Sequence, residues 1–178
     1  SKKQLILDTA RKLFSETGYQ GTSIDLVVKT AAVSKPTVYN NFPTKQALLF
    51  ALMESLLAES EALRQSVWEQ KDLPPTEAII IAFEQIADTP EFLAVYRISY
   101  GESHKLEHDT YQLCQRFDSD LVQDYFKWLQ QKEIRLSEAN FMSVIAICRE
   151  GILIPALSGS TSTSRDLIKQ AITAQFNQ

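Results

Sequence analysis

The sequence predicts an all-α protein of about nine helices, three short ones forming an N-terminal helix-turn-helix unit and the rest a C-terminal bundle. Apolar residues recur at i, i+3, i+4 and i+7 through most of the chain. The five glycines and six prolines fall almost entirely between those periodic segments. No strand-like alternation persists anywhere.

Lys2–Thr17 reads as one amphipathic helix, with Ile6, Thr9, Ala10, Leu13 and Phe14 on one face and Lys3, Arg11 and Lys12 largely elsewhere. Gly18 is placed to end it as a left-handed residue, and Tyr19-Gln20-Gly21 leads onward. Thr22 and Ser23 are both good N-caps, and Asp25, three residues after Thr22, makes something close to a capping box. Ile24, Val27, Val28 and Ala31 then form one apolar stripe of a short helix. Val33 lies just outside it. Ser34 caps a second short helix, with Pro36 in the first turn, where a missing N–H costs nothing.

Helical geometry at 100° per residue sorts that second helix. Val38 and Phe42 fall on one side and pack against its predecessor; Pro36 and Asn40 fall opposite, flanked by Thr37 and Tyr39, with Lys35 at the start. An outer face of Pro, Thr, Tyr and Asn suits a DNA groove. Its hydroxyls and amide reach phosphates or base edges, and the Thr37 and Pro36 carbons can meet a thymine methyl. The competing reading is an ordinary pair of surface helices. Next, Pro43 breaks the chain and Thr44 caps a long helix whose first turn carries Lys45, poorly placed for the helix dipole but well placed for a phosphate.

The run Ile6–Leu49, ILDTARKLFSETGYQGTSIDLVVKTAAVSKPTVYNNFPTKQALL, closely resembles the N-terminal domain of the TetR family of transcriptional regulators. The resemblance lies in the Ala…Leu-Phe of the first helix, Gly-Tyr before a Thr-Ser cap, and the Ala-Val-Ser turn. It continues in the Thr-Val-Tyr…Phe recognition helix and the Pro-Thr-Lys…Leu start of the fourth helix. It implies a helix-turn-helix DNA-binding domain over 1–46 and an effector-binding and dimerisation domain over 47–178. It further implies that Thr22, Ser23, Tyr39 and Lys45 hold phosphates. Lys35, Pro36, Thr37 and Asn40, with Ser34 at their helix start, would then face the major groove. Val28, Ala31, Val33, Val38 and Phe42 would be scaffold. Two positions depart from the family pattern. Ala32 stands where the family often has Gly, and is expected to take the turn without strain; Asn41 stands where it often has His, keeping a donor but losing a possible charge.

Charge supports an oriented DNA binder. The chain of 178 residues carries a net −4, but residues 1–46 hold seven basic against three acidic side chains and the remainder eleven against nineteen. A basic end on an acidic body is drawn to DNA in one orientation. Composition is ordinary for a globular protein, at 44% hydrophobic and 22% charged. No apolar run reaches the roughly 20 residues of a membrane span and no signal peptide is visible. Two cysteines make neither a zinc pattern nor a disulfide framework. The expectation is a cytoplasmic protein with no membrane partner.

The body reads as helices near Thr44–Glu69, Pro75–Ala87, Pro90–Ser99, Glu107–Lys132, Ser137–Ala156 and Ser164–Phe176, with Ser137 and Ser164 as caps. The fourth helix, starting at the DNA reader, is the expected mechanical connection to the body. Ser137–Ala156 is apolar on most sides, as befits a core helix or one divided between core and interface. The resemblance implies a homodimer through the last two helices. Aromatic residues crowd the middle, and Tyr96, Tyr100, Tyr111 and Cys114 are the choices for lining a pocket for an unknown small-molecule effector. The bland reading of each is core packing. His104 and His108 lie at i, i+4, but no third ligand has recognisable spacing, so no metal and no cofactor are expected.

The expected function is therefore a dimeric DNA-binding regulator, a repressor released from a double-stranded palindromic operator by its effector. No nucleophile–base pair, phosphate loop or paired carboxylates stand out, and Glu102 and Glu107 near the histidines are poor candidates, so an enzyme is not expected. The alternative is a helical ligand- or protein-binding module without sequence-specific DNA binding.

Overall fold

The computed structural model describes residues 1–177. Among them are nine helices and no strand: α1 Lys2–Gly21, α2 Ile24–Ala31, α3 Lys35–Asn41, α4 Lys45–Trp68, α5 Pro75–Asp88, α6 Pro90–Gly101, α7 His108–Gln131, α8 Glu138–Ser158 and α9 Arg165–Phe176. A single 3₁₀ turn, Ser103–Lys105, precedes α7. Local sequence fixes the ends. Ser23, Ser34, Ser137 and Ser164 each accept the N–H three residues on, and the Thr44 hydroxyl accepts from Ala47 N at 3.0 Å. Pro75 and Pro90 open α5 and α6, where no N–H is needed.

Two N-terminal expectations need correction. Gly18 does not end α1 as a left-handed residue: at φ 70, ψ −175 it kinks the helix, and one further turn follows to Gly21. Ser23 rather than Thr22 caps α2, so Asp25 completes no capping box with Thr22.

Packing divides the chain into two units, Ser1–Ser60 with Pro90–Phe117, and Glu61–Thr89 with Asp118–Gln178. In the first unit, Ile6, Ala10, Leu13 and Phe14 of α1 are buried, and α1 packs on α2, α3 and above all α6. Leu48, Leu49, Leu52 and Met53 of α4 and Phe92 and Phe117 complete this core. Each of these side chains other than Ala10 stabilises the fold by about 1.5–3 kcal/mol when removed from water.

In the second unit, Ile79, Ile80, Phe83 and Ile86 of α5 and Val144, Ile145, Cys148 and Ile152 of α8 are buried with Ile168 and Ile172 of α9. Against the expectation that no apolar run reaches membrane-span length, α8 does so by length and composition. Its buried side packs on α5 and α9.

Pro155 lies inside α8 and has no N–H for the Gly151 carbonyl four residues back. Two local adjustments keep the helix intact. Arg149–Leu153 opens into a π turn, with Ile154 N bonding Arg149 O, and the Gly151 carbonyl accepts the Thr163 N–H at 3.0 Å. Gly151 also lets α9 approach, since a Cβ there would sit 2.9 Å from Ile168 Cδ1.

Candidate nucleic-acid interface

α3 is seven residues long and its orientation is set by two buried anchors, Val38 and, just after the helix, Phe42 at 3% exposure. With those side chains inward, Lys35, Pro36, Tyr39 and Asn40 are exposed and Thr37 is half-buried. The Ser34 hydroxyl accepts Thr37 N at 3.2 Å and lies 2.6 Å from the Thr37 hydroxyl, which fixes the first turn. Asn41 is turned to the Thr37 carbonyl, donating from Nδ2 at 2.9 Å. The five side chains of the outer face thus stand on a pinned helix.

The turn before α3 is where sequence reasoning misjudged the backbone. Ala32 adopts φ 54, ψ 42, the left-handed region, and does not take the turn unstrained. A side chain with a Cβ costs about 1–2 kcal/mol there. Val33 N donates to Val28 O at 3.4 Å, so the chain reverses tightly enough to bring Ser34 into its capping position.

Thr22, Ser23 and Lys45 flank α3 in the chain, and their environments differ. The Thr22 side chain is inside the fold, at 1% exposure, its hydroxyl donating to Gly18 O at 2.9 Å and lying 2.8 Å from that of Thr17. Ser23 is exposed at the α2 start. Lys45 holds its Nζ 3.9 Å from the centre of the Tyr19 ring, and burial pulls its pKa below the ordinary lysine value, against the opposing pull of Glu102. Lys35 is fully solvated and pairs with Asp25 at 2.9 Å; that carboxylate raises its pKa. Asp25 therefore serves α3 across the turn.

Sequence reasoning missed a set of bonds beneath this surface. Gln46 Nε2 donates to the Tyr19 hydroxyl at 2.7 Å and to the Lys105 carbonyl at 3.0 Å. Glu107 N donates to Gln46 Oε1 at 3.4 Å, and Gln20 N donates to Glu102 Oε2 at 3.0 Å. The end of α1 and the start of α4 are thus tied to the segment between α6 and α7. Of the two carboxylates near the histidines, that of Glu102 is engaged by Gln20 N, whereas Glu107 joins the set through its backbone N–H and its side chain is exposed. His104 and His108 are both exposed, and no group of three metal-ligating side chains forms among the described residues.

The four pocket candidates lie in unlike surroundings. Tyr96 and Cys114 are buried at 3% and 2%, whereas Tyr100 is 60% exposed. The half-buried Tyr111 accepts a bond from Gln115 Nε2 at 2.6 Å. Four concavities lie among the described residues of the second unit. One of about 390 Å³ has Trp68 and Trp128 in its wall. Another, about 360 Å³, is an apolar groove between α8 and α9 lined by Ala146, Ile147, Gly151, Leu167, Ile168 and Ala171 among others. Met142, Ile154 and Leu167 stand exposed on the same two helices, at 69%, 43% and 56%.

Residues 6–52 match the family described as bacterial regulatory proteins, tetR family. The chain is 29% identical over 97 residues to the uncharacterized HTH-type transcriptional regulator YuxN of Bacillus subtilis, a match covering 53% of this chain and 33% of that one. It thus spans about a third of that relative's length. It is 21% identical over 180 residues, 98% of its length and 97% of the relative's, to IcaR of Staphylococcus aureus, the HTH-type negative transcriptional regulator of the biofilm operon icaADBC. The reduced form of E. coli NemR shares the fold, with a TM-score of 0.76 at 16% identity over 99% of this chain and 95% of that one.

Proposed function

We propose that this chain, whose residues 6–52 match the bacterial regulatory proteins of the tetR family, is a transcriptional repressor. In this reading it binds a palindromic operator as a homodimer and leaves it when a small molecule occupies the region 47–178. The observation that carries this reading is the outer face of α3, polar and exposed on a helix held by Val38 and Phe42. Lys35, Pro36, Thr37 and Asn40 meet base edges. Ser23, Tyr39 and Lys45 meet phosphates, Ser34 caps the reader, and Thr22, its hydroxyl held within the fold, sets the approach of Ser23.

The basic charge of residues 1–46 on an otherwise acidic chain supports the orientation. IcaR, similar over its whole length, is a negative regulator, which favours repression. A single seven-residue reader makes few base contacts, and a two-fold pair one DNA turn apart, about 34–36 Å, doubles them. The exposed apolar side chains of α8 and α9 supply a self-complementary surface for that pairing. The effector acts by favouring one of two spacings of the paired readers, through the long α4 that follows the reader. A protein doing this works in the cytoplasm and needs no enzymatic chemistry.

The test is selection of tight binders from a random-sequence duplex pool by the purified protein at two salt concentrations. An enriched palindrome whose binding falls steeply with salt supports the reading. The Lys35→Ala/Tyr39→Ala double variant is expected to lose that binding while keeping its helical content. No enrichment at low salt, or full retention by the double variant, leaves a ligand- or protein-binding module instead.

A further inference from the structure

We propose that Gln46, in the first turn of α4, is a positioning residue for operator binding: it fixes the Tyr19 ring on which Lys45 rests, and it ties that placement to the segment between α6 and α7. The role rests on the function proposed above for what Lys45 meets. All of the residues involved lie in the first unit.

The side chain of Gln46 has no donor to spare. A primary amide offers two N–H groups and one carbonyl. Here Nε2 donates to the Tyr19 hydroxyl at 2.7 Å and to the Lys105 carbonyl at 3.0 Å, and Oε1 accepts Glu107 N at 3.4 Å. With both N–H groups engaged inside the chain, Gln46 acts on DNA through what it holds. Glutamate in its place would have no donor, lysine no acceptor, and asparagine would be one methylene shorter.

What it holds is a pair of rings and one cation. Tyr19 lies parallel to Phe14, with ring centres 6.3 Å apart and planes within 4°. Lys45 Nζ stands 3.9 Å from the centre of the Tyr19 ring. An ammonium so placed is attracted by the ring face and loses much of its range of directions. Chain neighbours on a helix do not face each other, so the link from Gln46 to Lys45 runs through Tyr19.

The far side of the support is built separately. The kink at Gly18, φ 70, leaves a place for Glu102, since a Cβ on Gly18 would sit 3.3 Å from Glu102 Oε1. Glu102 Oε2 accepts Gln20 N at 3.0 Å. The segment from Glu102 to Glu107 is therefore anchored on both sides of Tyr19: by Glu102 to residues 18–20, and by Lys105 and Glu107 to Gln46. A shift of that segment frees Gln46, and Gln46 in turn frees the ring.

The first readout needs no DNA. Lysines of the full chain are converted to isotope-labelled dimethyl-lysine and followed by NMR, and the methyl signal missing from Lys45→Met is that of Lys45. The Tyr19 ring current is expected to shift it upfield of the solvated lysines. Gln46→Leu, checked for unchanged helical circular dichroism, is expected to return it toward them. One glycine inserted between Lys105 and Leu106, which puts the two backbone anchors of Gln46 out of register, is expected to do the same. A Lys45 signal unshifted in the wild type, or unmoved by Gln46→Leu, overturns the proposal. A signal moved by Gln46→Leu but not by the insertion overturns the part played by the segment.

Operator affinity across a salt series is the second readout. Gln46→Leu is expected to weaken binding about fivefold without changing the salt slope, and by less than about twofold in a Lys45→Met background, because residues in one chain of support are not additive. A loss of the same size in both backgrounds overturns the positioning role. Absence of any operator binding overturns the proposed function, and the methyl signal then decides by itself whether Gln46 places Lys45.

Discussion

Lys45 at the start of α4 holds its ammonium 3.9 Å from the centre of the Tyr19 ring at the end of α1. The ring, itself bonded by Gln46 at 2.7 Å, fixes where a long flexible cation points. Lys45→Met is expected to weaken operator binding about tenfold and to lower the slope of log affinity against log salt by about one. Tyr19→Leu is expected to weaken binding while keeping that slope, because the charge remains. Fluorescence anisotropy across a salt series separates the two.

Ala32 in the left-handed region makes a simple prediction for stability. Ala32→Gly relieves a cost of about 1 kcal/mol, partly offset by the greater freedom of glycine in the unfolded chain. Urea denaturation is expected to show a higher midpoint with unchanged slope. A lower midpoint contradicts the strain.

The α5–α9 contact gives a dependence on acid. Glu77 accepts from Arg165 at 2.7 Å and Lys169 at 3.0 Å, and these cations hold its carboxyl below the usual value of 4.5. A depressed carboxylate stabilises the fold fully above its unfolded pKa and loses that contribution as pH falls through its folded pKa. Glu77→Gln is expected to cost about 1 kcal/mol at pH 7, the upper end for a partly screened network. The gap to wild type should close once pH is well below 4.5, the ordinary value. Thermal melts at pH 7 and in acid check this.

At Gly151, α8 lies against Ile168 of α9. A methyl group there meets Ile168 Cδ1 at 2.9 Å, so Gly151→Ala is expected to cost about 1–3 kcal/mol by overpacking. The paired helices carry the proposed dimer surface, so sedimentation equilibrium is expected to show a weaker dimer alongside the lower melting temperature.

The two thiols are expected to be inert in the native protein. Burial pushes Cys114 up to about 11 and Cys148 up to about 12, so almost no thiolate exists at neutral pH. A chromogenic disulfide reagent at pH 8 should react with neither cysteine until denaturant is added, and then with both. Fast labelling of the folded chain contradicts this.

What the sequence made legible was local. Helix starts at Ser34, Thr44, Ser137 and Ser164 could be read because a capping side chain acts on an N–H three residues away. The inward edge of α3 followed from the four-residue spacing of Val38 and Phe42, again a local relation. The choice between adjacent hydroxyls Thr22 and Ser23 was not legible, because only the kink at Gly18 decides which turns inward. Gln46 was opaque for a different reason: its partners Tyr19, Lys105 and Glu107 are distant in sequence and two of its bonds involve backbone. A count of aromatic residues likewise does not separate Tyr96, in the core, from Tyr100, in solvent. Trp68 and Trp128 became a wall only when α4 and α7 were seen side by side.

The exposed pair between Lys35 and Asp25 bears on how the protein searches. A free lysine gives up rotamer freedom when it is fixed on a phosphate or a base. Here Asp25 of α2 already pairs with that side chain, so under the proposed function its carboxylate is a stand-in for DNA. Meeting a duplex becomes an exchange of one anion for another rather than the capture of a wandering arm. Such an exchange has little drive on a poorly matched sequence and completes where the neighbouring base contacts also form, so an acidic residue on the reader can sharpen its selectivity.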